Sequence, residues 1–276
     1  MLKTRAITAI ILLALFLAAL FLLPALGWAA LIVVMVMQGT VEWAHLAKLS
    51  GKAANVYWWL TLALMLGLVW FDAYHSSGQQ ALLHLSIYAV SALLWLIIVP
   101  TWLIVGWKVR HPLLMALTGW AVLIPTGLAM MDLRVVNPSP WVLLFVMGLV
   151  WVADISAYLV GRRFGKNKLA PSISPGKTWE GVAGALLGAS IYVVLVWSFG
   201  PYFSQRGVLP GLLLASWWWV GLAVIGDLFE SSIKRQAGVK DSGALLPGHG
   251  GLLDRIDALT PTLPLAALAI LLQHPG

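Results

Sequence analysis

The residues that could carry chemistry are concentrated in two polar segments of an otherwise apolar chain. Residues 161–181, here called loop A, and residues 232–257, called loop B, are both rich in Lys, Arg and Gly. Glycine lets backbone amides approach an anion closely, and Lys and Arg neutralise phosphate charge. Loop B adds Asp241, Asp254 and Asp257, whose carboxylates are hard oxygen ligands suited to Mg²⁺. This mixture predicts a site for a metal ion and a polyphosphate.

Two further carboxylates lie inside apolar stretches next to these loops. Asp154 lies in VLLFVMGLVWVADISAYLVG, and Asp227 lies in WWWVGLAVIGDLFESSIKR. A carboxylate at membrane depth is costly unless it is paired or bound to a metal. Neither has a cation one turn further along its own helix, so we expect a partner from elsewhere in the fold or a metal ion. Asp227, Glu230 and Ser231 share a helix face, which is predicted to line a polar cleft.

Simpler interpretations apply to part of this set. Basic loops could merely hold anionic lipid headgroups, which fits loop A better than loop B. His249 is expected to order its loop by hydrogen bonding rather than to bind a metal or act as a base, although the second role stays open. Glu42 and Asp72 lie near predicted span ends and are expected to be solvated.

The elements that must position these residues are membrane spans. The 276-residue chain is 61% hydrophobic and 10% charged, whereas a soluble domain is about half apolar and about a quarter charged. We predict an all-α, polytopic transmembrane helical bundle of about nine spans, each of about 20 residues. They are expected at residues 7–23, 25–44, 56–73, 82–107, 112–131, 140–160, 179–199, 208–230 and 257–273. The absence of cysteine excludes disulfides and thiolate metal sites.

Positive charge predicts the orientation of these spans. With the N-terminus in the cytoplasm, all of the 17 Lys and Arg residues except Arg134 and Arg206 lie on the cytoplasmic side. The net charge of +7 then reflects topology, and no nucleic-acid partner is expected. Residues 1–30 could also resemble a signal peptide, and the charge pattern alone does not exclude its cleavage.

The chain is predicted to divide near its middle. Residues 1–138 are expected to form N-terminal transmembrane spans. Residues 139–276 are expected to form a C-terminal transmembrane catalytic region, with cytoplasmic loops at 161–178 and 231–256. The ionisable residues at membrane depth fall almost entirely in this second region.

Loop B resembles the signature of phosphatidate cytidylyltransferases, also called CDP-diacylglycerol synthases. The resembling positions are Ser232, Lys234, Arg235, Lys240, Asp241, Gly243, Pro247, His249, Gly250, Gly251, Asp254, Arg255 and Asp257. Residues 154–181, with Ser174-Pro175, Lys177-Thr178 and Glu180-Gly181, and residues 226–231 are similar to the same family. Ile155 departs from the pattern, because a small or hydroxylated residue is expected there. The detailed resemblance covers residues 150–257.

The resemblance implies an enzyme, a nucleotidyltransferase of phospholipid biosynthesis. It would transfer the cytidylyl group of CTP to phosphatidic acid by metal-assisted attack of the lipid phosphate on the α-phosphorus of CTP, giving CDP-diacylglycerol and pyrophosphate. The implied cofactor is Mg²⁺, in a site for one or two metal ions of which one could be monovalent. Membrane lipids and a second copy of the chain in a homodimer are the other implied partners, in a bacterial inner membrane with the active site facing the cytoplasm.

The candidate site residues follow from the motifs and the resemblance together. The resemblance implies that Asp227 and Asp254 are metal ligands, to which we add Asp257, and that Lys177 contacts phosphate. The catalytic candidates are Lys177, Asp227, Lys240, Asp241, Asp254 and Arg255. The substrate-binding candidates are Ser174, Lys177, Thr178, Lys234, Arg235, His249, Gly250 and Gly251. Whether Asp154 is catalytic or structural is left open.

Two other functions compete with this one. Another CTP-using membrane enzyme, such as a polyprenol or phytol kinase or an archaeal-lipid cytidylyltransferase, is disfavoured by the intact loop B pattern. A transporter or lipid scramblase would use intramembrane carboxylates as ion sites and would show inverted repeats. The sequence shows no such repeat, because its polar residues cluster in the second half.

Overall fold

The structure, a computed structural model, describes residues 2–137, 139–200, 207–245 and 250–273, with side chains from residue 10 onward. His249 lies outside the described residues. The helices are α1 Leu2–Leu22, α2 Ala25–Leu46, α3 Gly51–Tyr74, α4 Ser77–Leu93, α5 Val99–Val105, α6 Pro112–Val135, α7 Trp141–Phe164, α8 Trp179–Phe199, α9 Leu209–Ala237, α10 Leu253–Ile256 and α11 Leu259–Gln273. A π-helical turn, Leu94–Ile98, joins α4 to α5.

Seven of the described helical segments are long and apolar enough to cross a bilayer. They are Ala25–Leu46, Gly51–Tyr74, Ser77–Val105, Pro112–Val135, Trp141–Phe164, Trp179–Phe199 and Leu209–Ala237. Two shorter apolar helical segments, Ile10–Leu22 and Leu259–Gln273, correspond to the first and last predicted spans. The predicted polytopic helical bundle is confirmed, while the count of nine spans and the position of the N-terminus stay predictions.

Proline and glycine set several helix boundaries. Helices α6 and α9 begin with Pro in the first turn, where the missing backbone N–H is not needed. Gly238 ends α9 in the left-handed conformation. The π-helical turn lies just before Pro100. Proline has no backbone N–H and so cannot donate the hydrogen bond of a regular helix. Pro125 lies within α6, and the helix continues past it to Val135.

Loop A contains a short β-hairpin that was not predicted. Strand β1, Lys168–Ala170, pairs antiparallel with β2, Ser174–Thr178. Thr178 then caps α8, since its hydroxyl accepts a 3.1 Å hydrogen bond from the amide of Gly181. The Glu180 carboxylate accepts hydrogen bonds from the amides of Lys166 and Asn167, which ties the end of α7 to the start of α8. The strands are too short for sequence periodicity to reveal them.

Helices α7 and α8 are packed closely through small residues. A Cβ atom at Gly184 would lie 2.6 Å from Val160, and one at Gly188 would lie 2.1 Å from the Ser156 hydroxyl. Glycine at these positions lets the two backbones approach, as is typical of helix pairs in membranes. The hairpin is therefore held at a defined place relative to Asp154 on α7.

The hairpin and loop B share one end of the bundle, here called the hairpin end. Glu42, near the end of α2, contacts loop B, so the turn between α2 and α3 also lies there. Helix α3 runs away from that end for 24 residues, a length of about 36 Å. Helix α11 packs within the core, because its residues from Leu259 to Ala267 are all buried.

Candidate active site

A cavity of about 620 Å³ at the hairpin end gathers most of the predicted carboxylates. Four Asp side chains and three cationic side chains line it, drawn from α7, the hairpin, α9, α10 and the residue that follows α10. They are Asp154, Asp227, Asp254, Asp257, Arg162, Lys177 and Arg255. The acids predicted to cooperate from separate stretches of sequence therefore do meet in one cavity.

The carboxylate of Asp227 is paired with a lysine from the hairpin. Lys177 Nζ lies 2.6 Å from Asp227 Oδ2, and both side chains are only partly exposed. The Ser231 hydroxyl, one turn later on α9, donates a 3.3 Å hydrogen bond to Asp227 Oδ1. Of the two partners expected for Asp227, a side chain from elsewhere in the fold or a metal ion, this ion pair supplies the first.

Asp254 is held by a dense set of donors. Lys234 Nζ lies 2.5 Å from its Oδ1, and the amides of Ser242 and Gly251 donate to Oδ2 at 2.9 and 2.8 Å. Burial alone would raise the pKa of Asp254, but the Lys234 ammonium and these amides outweigh it and hold the pKa below its ordinary value. Lys234 also lies 3.4 Å from the buried Glu230, so this cation serves two carboxylates.

Glu42 is an organising residue that sequence reasoning missed. It was expected to be solvated near a span end, but the structure buries it to 4% exposure. Its carboxylate accepts hydrogen bonds from the Ser242 hydroxyl at 2.8 Å and from the amides of Leu252 and Leu253 at 2.8 and 2.9 Å. A buried carboxylate needs such donors, and loop B supplies them. The sequence feature that could have revealed this role is the position of Glu42, an acid one helical turn before the end of the apolar helix α2.

The paired glycines of loop B make room for these carboxylates. Gly250 has φ +83°, and a Cβ there would lie 2.5 Å from Asp254 Oδ2. A Cβ at Gly251 would lie 2.3 Å from both Glu42 Oε2 and the Ser242 hydroxyl. Only glycine therefore fits between the two acids and the loop.

A glycine on α9 brings the remaining metal candidate close to Asp227. A Cβ at Gly226 would lie 2.5 Å from the carbonyl oxygen of Asp257 and 2.8 Å from Pro261. The backbone at Asp257 therefore packs directly on the helix turn that carries Asp227. The Asp257 carboxylate itself accepts a 2.9 Å hydrogen bond from the amide of Ala258.

The other predicted site residues are dispersed. Ser174 and Thr178 line the same cavity, although the Thr178 hydroxyl is engaged in capping α8. Lys240 and Asp241 are exposed in loop B and do not line this cavity. Arg235 lines a different cavity.

The predicted metal ligands do not form a tight cluster in this structure. Within the described ranges, one group alone places three His or carboxylate ligand atoms within 4.8 Å of one another, and it is Asp72, His84 and Asp132. Asp227 and Asp254 are instead each neutralised by a lysine ammonium group. Their hard oxygen donors still fit Mg²⁺ by chemistry, because a divalent cation could replace lysine as the counter-charge.

The cluster of Asp72, His84 and Asp132 corrects a second prediction. Asp72 was expected to be solvated, but His84 Nε2 lies 3.0 Å from Asp72 Oδ1, while His84 Nδ1 lies 2.8 Å from Asp132 Oδ2. The Tyr88 hydroxyl donates a 2.7 Å hydrogen bond to Asp132. Asp72 lies two residues before the end of α3 and so at the opposite end of the bundle from the cavity.

The chain is similar in sequence to known cytidylyltransferases. Residues 3–273 match the profile of the cytidylyltransferase family. The chain is 36% identical over 279 residues to a phosphatidate cytidylyltransferase of Haemophilus influenzae, covering 96% of each chain. It is 38% identical over 268 residues to a phosphatidate cytidylyltransferase of Pseudomonas aeruginosa, covering 97% of this chain and 96% of that one. A phosphatidate cytidylyltransferase of Brucella abortus is 46% identical over 126 residues, covering 46% of this chain and 45% of that one.

Proposed function

The chain belongs to the cytidylyltransferase family and is a nucleotidyltransferase, and we propose on this basis that it makes CDP-diacylglycerol from CTP and phosphatidic acid. A phosphate oxygen of phosphatidic acid attacks the α-phosphorus of CTP. The bond from that phosphorus to the oxygen bridging to the β-phosphate breaks, and pyrophosphate leaves. The reaction needs no covalent enzyme intermediate, because the lipid phosphate is itself the nucleophile.

The observation that supports this reaction best is the mixture of charges in the 620 Å³ cavity. Both substrates are polyanions, so their mutual repulsion opposes the reaction. Lys177, Arg162 and Arg255 can neutralise phosphate oxygens, while the four Asp side chains can hold a cation between the two substrates. A cavity with cations alone could not hold a metal ion, and a cavity with carboxylates alone could not neutralise phosphate oxygens.

The carboxylates of Asp227, Asp254 and Asp257 are the proposed ligands of Mg²⁺, in a site for one or two metal ions. Mg²⁺ bound there would neutralise phosphate charge and make the α-phosphorus more electrophilic. The oxygen-only donor set supports this assignment, since Mg²⁺ prefers carboxylate oxygens and water. Asp154 lines the same cavity and is available to orient water or a further cation.

Lysine side chains in the site have two proposed roles. Lys177, with 23% of its side chain exposed, is proposed to exchange its contact with Asp227 for a phosphate oxygen when substrate binds. Lys234, with 12% of its side chain exposed, is proposed to hold the Asp254 carboxylate in place. Lys240 and Asp241 are exposed in loop B, so a contact with substrate would require loop B to close over the cavity.

The location of the protein follows from the same reasoning. The chain is a multi-pass membrane protein, and we propose the bacterial inner membrane, with the hairpin end in the cytoplasm where CTP is present. The positive charge of loops A and B supports this orientation. A homodimer is proposed from family resemblance alone.

Product analysis with the purified protein tests the reaction. Phosphatidic acid, CTP labelled in its α-phosphate, and Mg²⁺ should yield labelled CDP-diacylglycerol together with pyrophosphate. A lipid kinase would instead release CDP and phosphorylate its acceptor. Failure to form any CDP-lipid, with folded protein and Mg²⁺ present, would rule out the proposal.

The Asp254→Asn variant tests the metal assignment within that assay. Loss of the carboxylate charge should abolish turnover while the amides of Ser242 and Gly251 still have an acceptor, so the protein should remain folded. The matched control is Asp72→Asn at the other end of the bundle, which should retain turnover. Activity of Asp254→Asn near that of the wild type would contradict the assignment.

A further inference from the structure

A second cavity at the hairpin end is lined by cations and by no acid. Its volume is about 840 Å³, and it lies between the ends of α2, α5 and α9, with the hairpin turn as a further wall. Four basic side chains line it, and they are Lys48, Lys108, Arg110 and Arg235. No Asp or Glu among the described residues lines this cavity.

The charges of these four side chains are not neutralised within the fold. In the part of the chain that the structure describes, none of them forms an ion pair with a carboxylate. Arg235 donates a 3.5 Å hydrogen bond from its Nε to the Ile173 carbonyl, which leaves the rest of its guanidinium available. Four unpaired cations around one concave space create a positive potential that attracts multiply charged anions.

The backbone at Lys48 supplies an independent observation. Lys48 lies two residues after the end of α2 and has φ +55°, and it is the one non-glycine residue with positive φ among those described. The amide of Leu49 donates to the carbonyl of Ala44, a helix-ending pattern in which glycine is the usual residue. An amino acid with a Cβ pays a steric cost there, so lysine at this position indicates a function for its ammonium group.

Apolar side chains also line the cavity. Leu103, Ile104 and Trp107 line it, and Ile104 is 85% exposed. Ser172, Ser232 and Gln236 add hydrogen-bonding groups to the lining. Exposed cations beside exposed apolar side chains match a ligand whose charged phosphate is attached to an apolar body, and the cations would also hold a free polyphosphate.

We propose that this cavity is a second phosphate-binding site, separate from the aspartate-lined cavity, for a phosphomonoester or polyphosphate group. The two cavities share no lining residue: Ser232 and Arg235 of α9 line one, while Asp227 of the same helix lines the other. The phosphate could come from a phospholipid headgroup or from a nucleotide, and both sources present the same dianionic chemistry. The proposal does not depend on the reaction proposed above.

Binding measured without divalent metal isolates this site. With EDTA present, no divalent cation offsets the four aspartates that line the first cavity beside its three cationic side chains, whereas the charged side chains described in the second cavity are all cationic. We would titrate the purified full-length protein in neutral detergent with dihexanoyl phosphatidic acid, CTP or dihexanoyl phosphatidylglycerol, using calorimetry. Phosphatidic acid or CTP, or both, should bind, and which of them binds identifies the source of the phosphate. Phosphatidylglycerol, a monoanionic diester, should bind at least about tenfold more weakly.

Three variants assign that binding to the cavity. Lys108→Gln/Arg110→Gln should weaken it by about tenfold or more, since two of the four cations are lost. Lys48→Gly should weaken it several-fold while the melting temperature stays equal or rises, because glycine tolerates the left-handed backbone. The control is Lys52→Gln. Lys52 is exposed, lies four positions after Lys48 and does not line the cavity, so this variant should change the affinity less than twofold.

Several outcomes would overturn the proposal. The first is that neither phosphatidic acid nor CTP binds in EDTA. The second is that phosphatidylglycerol binds as tightly as they do. The third is that Lys52→Gln weakens binding as much as the cavity variants. Loss of catalytic turnover with this binding retained would instead bear on the proposed reaction alone.

Discussion

The carboxylate of Glu42 accepts a 2.8 Å hydrogen bond from the hydroxyl of Ser242, which lies 200 residues later in the chain. The same carboxylate holds the amides of Leu252 and Leu253, immediately before Asp254. An acid in the N-terminal half therefore determines where loop B presents Asp254. The predicted division at residue 138 separates these residues in sequence, yet they share one hydrogen-bonded network.

Replacing Glu42 by glutamine should lower turnover by about tenfold or more, because hydrogen bonds to a charged acceptor contribute about 1.5–3 kcal/mol. The side-chain N–H group of glutamine would also face the loop B amides that donate to Glu42, and two donors cannot form a hydrogen bond with each other. Turnover and thermal unfolding would be measured on the same preparation. Gln38→Ala is the control, since Gln38 donates to Glu42 and forms no hydrogen bond with the described residues of loop B, and its effect should be smaller. Equal effects of the two variants would contradict the role assigned to Glu42.

Replacing Gly226 by alanine should destabilise the protein by about 1–3 kcal/mol, because the added methyl overlaps the Asp257 backbone. It should also displace Asp257 from Asp227 and lower turnover. Gly221→Ala on the same helix is the control, since a Cβ there meets nothing within 4 Å. The measurement is chemical denaturation in detergent together with the turnover assay. A Gly226→Ala protein as stable and active as Gly221→Ala would show that the close approach is unimportant.

Replacing Lys177 by methionine should lower turnover by about a hundredfold or more, because the cation nearest Asp227 is lost from the cavity. If Lys177 contacts the substrate phosphate, the effect should fall on kcat and on the KM for substrate together. Lys168→Met removes an exposed lysine on the adjacent strand β1 and should be nearly neutral. Steady-state kinetics with CTP and phosphatidic acid would decide, and unchanged kinetics of Lys177→Met would remove this residue from the site.

Replacing His84 by glutamine should lower the free energy of unfolding by about 2 kcal/mol, because Asp72 and Asp132 would lose the group that lies between them. Turnover at saturating substrate should persist, since the cluster lies at the other end of the bundle from the cavity. His75→Gln, at the same end, lacks these carboxylate contacts and serves as the control. An abolished turnover with intact stability would instead tie this cluster to the reaction.

Acidification should destabilise the protein through Asp254. Its lowered pKa means that the folded state favours the carboxylate more than the unfolded chain does. This stabilisation is fully present above the ordinary Asp pKa of about 3.9 and is lost as the pH falls through the lower, folded-state value. Melting temperatures of wild type and Asp254→Asn, compared from pH 6 to pH 3, should converge at the acidic end. If the two melting temperatures differ by the same amount at every pH in this range, ionisation of Asp254 does not contribute to the acid sensitivity.

The sequence by itself determined the membrane-embedded helical architecture and the region that holds the site. Apolar residues can be counted along the chain without knowledge of the fold, so the span predicted at 112–131 lies close to the observed helix Pro112–Val135. The dense motif around Asp254 and the acid at Asp227 likewise pointed to one site, and the structure places both in one cavity. Bilayer burial makes an unpaired acid costly, so a partner for Asp227 from outside its own helix could be inferred.

Only the tertiary structure decided which partners meet. Nothing in the local sequence of Glu42 or Asp72 reveals the loop amides or the histidine that they contact, because those groups arrive from other helices. The pairing of Lys234 with Asp254, the hairpin that carries Lys177, and the gathering of Lys48, Lys108 and Arg110 around one cavity depend in the same way on helix packing. Hydrophobic periodicity sets where a helix lies, whereas polar contacts between distant residues depend on distances that packing alone establishes.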